Sequence, residues 1–124
     1  MLAHLLLAAM LWSPPSGPDP QSRVLKTSEL ETILRGAWII DAHIPYSYCC
    51  YPEMFHRYGE YVRHSDNFEA HGTYRFKGDE VCVVAEQEEE LCRRVMVDSR
   101  GRYWISRSHR PNSYKLIAIS PLKD

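Results

Sequence analysis

Two runs of strand-forming residues, Val81-Cys82-Val83-Val84-Ala85 and Leu91-Cys92-Arg93-Arg94-Val95-Met96-Val97, flank an acidic stretch at 87–90. No other feature narrows the choice of fold as much. Antiparallel pairing that sets Cys82 opposite Cys92 also sets Val83 opposite Leu91 and Glu80 opposite Arg94, and each is a favourable cross-strand pair. The reading is therefore a hairpin carrying a Cys82–Cys92 disulfide. Two reduced ligands of a metal site are the rival, although no Cys-x-x-Cys spacing is present. Glu86, Glu88, Glu89 and Glu90 crowd the hairpin tip, where a solvated turn fits better than a calcium loop, because the Asp/Asn-and-Gly spacing is missing.

The chain on either side follows the same period. Trp38, Ile40, Ala42 and Ile44 alternate with Ile39, Asp41 and His43 until Pro45 stops the strand. A second apolar run covers 49–55, Arg57-Tyr58-Gly59-Glu60 turns, and 61–64 returns as a hairpin. Over 71–77, Thr73, Arg75 and Lys77 share one side while Tyr74 and Phe76 share the other. Gly78-Asp79 turns into 80–86. Further strands are expected over 102–107 and 114–119, with Pro111-Asn112 as a break between them and Pro121 as the end of order. Ahead of the strands, Ser28 and Glu31 are spaced as a capping box, Leu30, Ile33 and Leu34 form an apolar stripe, and Gly36 suits a helix end. One short helix over 28–35 is expected to pack across an opening or edge of the sheet.

Seven or eight short strands joined by tight turns make an antiparallel up-and-down meander. With one short N-terminal helix, it is expected to close into a small lipocalin-like barrel or a curved sheet, with a sandwich as the alternative.

Residues 1–22 read differently from the rest. Leu2, Leu5, Leu6, Leu7, Met10 and Leu11 form a short apolar run, broken at Trp12-Ser13-Pro14-Pro15. The run is about half the roughly 20 apolar residues that a transmembrane helix needs. It fits a signal peptide with a processing segment, a short buried helix being the alternative. The expectation is thus a leader over 1–22, a single domain over 23–124, a periplasmic or secreted location, and no stable membrane span once the leader is removed. The chain has 15 Lys and Arg against 16 Asp and Glu, for a net charge of −1. The signs are interleaved with no basic stripe, which argues against nucleic acid as a partner.

The Gly36-Ala37-Trp38 step between helix and meander looks like the Gly-x-Trp that opens lipocalin-like barrels. More closely, 55–97 resembles uncharacterised bacterial periplasmic domains of this length. The matching residues are Phe55, Gly59, Gly72-Thr73-Tyr74, Gly78-Asp79, Cys82 and Cys92. The resemblance implies a small β-barrel domain in the periplasm and carries over no catalytic residues. The longer lipocalin signatures do not appear, so it implies no lipid or pigment transport.

Two constellations remain. Adjacent Cys49 and Cys50 do not readily bond to each other, because a trans peptide holds their Cβ atoms apart. They are open to a second or crossed disulfide, a free thiol or a labile redox bond; with His43 and His56 they could instead ligate copper or zinc. Tyr46, Tyr48, Tyr51, Phe55, Tyr58 and Tyr61 form a dense aromatic segment. Those left over from the core would suit a binding face, and Tyr46, Tyr48, Tyr51 and Tyr58 are the candidates. No Ser/His/Asp spacing, G-x-S-x-G elbow, H-E-x-x-H helix or phosphate loop occurs. The functional expectation is a monomeric, non-enzymatic exported domain without a cofactor, binding a small apolar ligand or a partner protein. A metal or thiol-redox protein and an enzyme-inhibitor module are the alternatives.

With four cysteines in the chain, the intact mass of the exported protein after thiol alkylation is expected to be short by four hydrogens with no adduct. A shortfall of two hydrogens, with two alkylated thiols or a retained metal ion, would make Cys49 and Cys50 the centre of the function.

Overall fold

The computed structural model describes residues 17–42, 52–65, 67–107 and 110–123. In chain order the elements are β1 (Arg23–Val24), α1 (Thr27–Leu34), β2 (Ala37–Asp41), β3 (Glu53–Phe55), β4 (Glu60–His64) and β5 (Glu69–Lys77). They continue with β6 (Glu80–Ala85), β7 (Leu91–Arg93), β8 (Val95–Val97), β9 (Tyr103–Arg107) and β10 (Arg110–Pro121). All ten strands form one antiparallel sheet in the order β1-β8-β9-β10-β2-β3-β4-β5-β6-β7. Among the described residues the fold is mostly β with one helix, as expected, and a single curled sheet replaces the sandwich alternative.

The strand count differs from seven or eight for two reasons. Arg23 and Val24 pair with Val97 and Met96, adding β1. The expected strand over 91–97 is also divided at Arg94. Its first half pairs with β6, through Val81↔Arg93, Cys82↔Cys92 and Val83↔Leu91. Its second half pairs with β9, through Val95↔Ile105, Met96↔Trp104 and Val97↔Tyr103. At the switch, the Arg94 N–H donates to Ser106 Oγ at 3.0 Å and the Ser106 N–H donates to the Arg94 carbonyl at 2.9 Å. The expected Glu80–Arg94 rung thus gives way to a contact with the next strand.

Alternation decides which side chains enter the curl. β5 turns Tyr74 and Phe76 inward and leaves Thr73, Arg75 and Lys77 outside. In β2 the buried pair is Ala37 and Ile39, while Trp38 and Ile40 are half-buried on the other face. β2 ends at Asp41, Ala42 still donates its N–H to the Leu116 carbonyl at 2.9 Å, and the expected continuation over 43–45 lies outside the described residues. Pro111 does not break the last strand. β10 runs through it, with a register shift between Arg110 and Tyr114 opposite Arg107 and Ser106, and a bulge tolerates a residue that has no N–H to donate.

Helix α1 lies over one end of the curl. Leu30 and Leu34 are wholly buried and join Leu25, Phe55, Tyr74, Val81 and Val95 in the core. The expected Ser28/Glu31 box moves two residues toward the N-terminus: the Glu29 carboxylate accepts the Lys26 N–H at 3.2 Å. The β5–β6 turn supplies the rest of the cap, because Asp79 Oδ1 accepts the Thr27 N–H at 3.2 Å and the Thr27 hydroxyl donates to the Gly78 carbonyl. Gly36, at φ +79°, ends the helix as expected. Its N–H donates to the Phe55 carbonyl at 2.8 Å, and its own carbonyl accepts the Leu122 N–H at 2.9 Å. Asp19, within the expected processing segment, accepts the Ser99 hydroxyl at 2.6 Å.

Gly72 on β5 lies opposite Ala85 on β6. A Cβ there would come within 1.9 Å of the Val84 carbonyl oxygen, which is backbone and cannot rotate away. Gly72→Ala is therefore expected to destabilise the protein by about 1–3 kcal/mol, the ordinary cost of overpacking. Urea denaturation against the wild type checks this.

Candidate functional site

The turn between β3 and β4 holds Tyr58, the one of the four candidate binding tyrosines among the described residues. Tyr46, Tyr48 and Tyr51, together with His43, Cys49 and Cys50, lie outside them. Tyr58 is 95% exposed, more than any other large hydrophobic side chain described. Its backbone is fixed all the same. The His56 N–H donates to the Glu60 carbonyl at 2.8 Å, and the His56 carbonyl accepts the Gly59 N–H at 3.0 Å. The buried Tyr74 hydroxyl reaches the same His56 carbonyl at 2.5 Å, and the Tyr74 N–H donates to the Gly59 carbonyl at 3.0 Å. Arg35, at the end of α1, donates to the Arg57 carbonyl at 3.3 Å. Gly59 takes φ +101°, a conformation that L side chains rarely adopt. His56, Arg57, Tyr58 and Glu60 line a shallow hollow of about 320 Å³. His56 therefore belongs to the tyrosine turn.

Cys82 and Cys92 face each other across β6 and β7 with their sulfurs at disulfide distance, as the pattern requires. Cys82 is wholly buried. The acidic tip beside them is exposed, and two of its carboxylates find cations: Glu88 pairs with Arg63 at 2.8 Å and Glu90 with Arg75 at 3.0 and 3.1 Å. His64 and His71 both face Glu69, at 3.3 and 3.1 Å, on the outer ends of β4 and β5.

The sequence reading did not single out the buried ionic cluster. Glu53 on β3 and Arg93 on β7 are 6% and 4% exposed, and two guanidinium nitrogens bond the carboxylate, Nη1 at 3.0 Å. The Tyr61 hydroxyl donates to the same carboxylate at 2.6 Å. Among the described residues, Arg93 Nε is buried without a partner. The signal was present. Once Cys92 points outward to meet Cys82, Arg93 must share the inner face with Leu91, and Glu53 likewise shares the face of Phe55. Burial pushes the Glu53 carboxyl up, but the charge and hydrogen bonds of Arg93, with the Tyr61 hydroxyl, outweigh it and leave the group below its ordinary value. Burial, together with the adjacent Glu53 charge, holds Tyr61 well above the usual phenol range.

Asp98 is a second buried carboxylate, and it is saturated. It accepts the Arg100 and Arg102 N–H groups at 2.9 Å each, Arg102 Nε at 2.8 Å and the Trp104 indole at 3.0 Å. Burial raises this carboxyl, and the four donors more than reverse the effect. It organises the β8–β9 turn and has little capacity left for a ligand.

Comparison with protein-family models, curated proteins and solved structures finds no match for the chain. Among the described residues, no helix is long and apolar enough to cross a membrane.

Removing one partner of a buried pair leaves the other charged and desolvated. Arg93→Met and Glu53→Gln are each expected to cost about 3–5 kcal/mol, whereas Glu53→Leu with Arg93→Met should cost less than either. Because Glu53 and Asp98 have depressed folded values, their stabilising contribution is complete above the unfolded carboxylate range of about 4. It is lost as pH falls below that range. Urea midpoints across the acid range are expected to fall steeply there, and to fall less steeply in the double variant.

Proposed function

We propose that this chain is an exported, non-enzymatic β domain that binds a partner protein through the β3–β4 turn, with Tyr58 as the anchor. The carrying observation is an almost fully exposed tyrosine on a turn tied by five hydrogen bonds. A tyrosine offers a broad apolar face with a polar tip, and truncating such an anchor at an interface costs the most binding energy. A turn already fixed in one conformation loses little entropy on binding. His56, Arg57 and Glu60 around it supply the polar rim.

The inside of the sheet favours this reading over a small apolar ligand. Phe55, Tyr61, Leu30, Leu34, Ile39 and Ile105 are all less than 2% exposed, and Phe55 packs against Tyr61 and Tyr74 at ring-centroid distances of 5.4 and 5.2 Å. We read the sheet as a lipocalin-like barrel in outline, because β10 pairs with β2 while the segment from β7 to β8 spans from β6 to β9. A disulfide-distance pair is compatible with the oxidising environment of an exported protein.

A photo-crosslinking phenylalanine at position 58, in protein exported from its native cell, should give one discrete adduct. The same residue at position 68, an aromatic site 63% exposed at the other end of β4, should not. Against the partner so identified, Tyr58→Ala should weaken binding by about 2 kcal/mol or more, roughly 30-fold. Identical adducts at both positions, or none at 58, would remove the proposal. An apolar molecule extracted in equal molar amount from the purified protein would restore the interior-ligand reading.

A further inference from the structure

Three potential metal ligands converge on the outer face of the β6–β7 hairpin, away from the Tyr58 turn. Cys82 Sγ, Cys92 Sγ and a carboxylate oxygen of Glu90 all lie within 4.8 Å of one another. Cys82 and Cys92 are directly paired, and Arg75 on β5 is directly paired with Cys82 from the other side. Arg75 also holds Glu90 through two hydrogen bonds, at 3.0 and 3.1 Å. Three adjacent strands, with the turn between β6 and β7, thus bring two sulfurs, one carboxylate and one guanidinium to one spot.

We propose that reducing the Cys82–Cys92 pair converts this spot into a site for a soft divalent cation of the zinc class, with Cys82, Cys92 and Glu90 as ligands. A dithiol reductant transfers two electrons and two protons to the disulfide, giving two thiols and leaving the reductant as its own disulfide. The cation then displaces both thiol protons to solvent and takes the two thiolates and the Glu90 carboxylate. Sulfur with one carboxylate suits zinc, and three protein ligands leave a fourth tetrahedral position for water. The charges balance: two thiolates and a carboxylate around a divalent ion leave one negative charge, which the Arg75 guanidinium offsets. Cys82 is wholly buried while Glu90 is exposed and Cys92 partly so, and the ion therefore enters from the Glu90 side.

The test uses the full chain carrying Cys49→Ser and Cys50→Ser, which removes the other thiols, with cobalt(II) alone as the probe. The reduced variant is expected to bind one cobalt per chain and to show thiolate-to-cobalt charge-transfer absorption; the oxidised variant should show neither. Adding Glu90→Gln, an exposed substitution that leaves the fold intact, should weaken cobalt binding by about tenfold or more. Adding Cys92→Ser should remove the charge-transfer band. Absence of the band in the reduced variant, loss of its far-ultraviolet strand signal on reduction, or unchanged cobalt affinity after Glu90→Gln would each overturn the proposal.

Discussion

The Glu53–Arg93 ion pair spans the inside of the curled sheet. Its partners are 40 positions apart in sequence, on β3 and β7, with three strands between them along the hydrogen-bonded order. Neither charge could be buried alone, since the desolvation penalty is several kcal/mol per ion. Their meeting therefore requires the sheet to curl far enough to bring β3 and β7 face to face. A flatter sheet would leave a guanidinium in an apolar wall. Tyr61, hydrogen-bonded to the pair through its hydroxyl and packed with its ring tilted against Phe55, connects this polar strut to the aromatic packing of the core.

Much of the local structure was legible in the residues because it follows from period and turn chemistry. The Cys82/Cys92 register, the Gly78-Asp79 turn and the faces of β5 could all be read from alternation. The end of α1 at Gly36 follows from its need for a positive φ. The less legible parts depend on distant partners. The helix begins at Thr27 because Asp79, 52 positions away, caps it. Ser28 is exposed and its carbonyl accepts the Thr32 hydroxyl at 2.9 Å. The division of the strand at Arg94 is invisible locally, since either half alone reads as a good strand. Only Ser106, on a later strand, reveals where pairing changes hands.

The candidate site was legible in the same partial way. A tyrosine before a glycine in a tight turn marks Tyr58 as an exposed aromatic, and the sequence includes it among four. The fixed backbone that distinguishes it came from Tyr74 and Arg35, which reach the turn from β5 and α1. Glu53 and Arg93 each occupy an inward position in an alternating strand. Taken singly they look like exceptions to the pattern, and only their pairing makes the burial intelligible.

The pairing of β2 with β10 bears on when this protein can fold. Ala37 lies opposite Pro121 and Asp41 opposite Ile117, so the first long strand finds one of its two neighbours only in the last. A nascent chain has made β2 long before β10 emerges, and until then one edge of β2 has no backbone partner. Loop-closure entropy makes such a contact among the last to form. The sheet is therefore completed only after residue 121 has been synthesised, although the hairpins from β3 to β7 join strands adjacent in sequence and can pair as each emerges. Until β10 arrives, the second edge of β2 is open to any extended strand that reaches it.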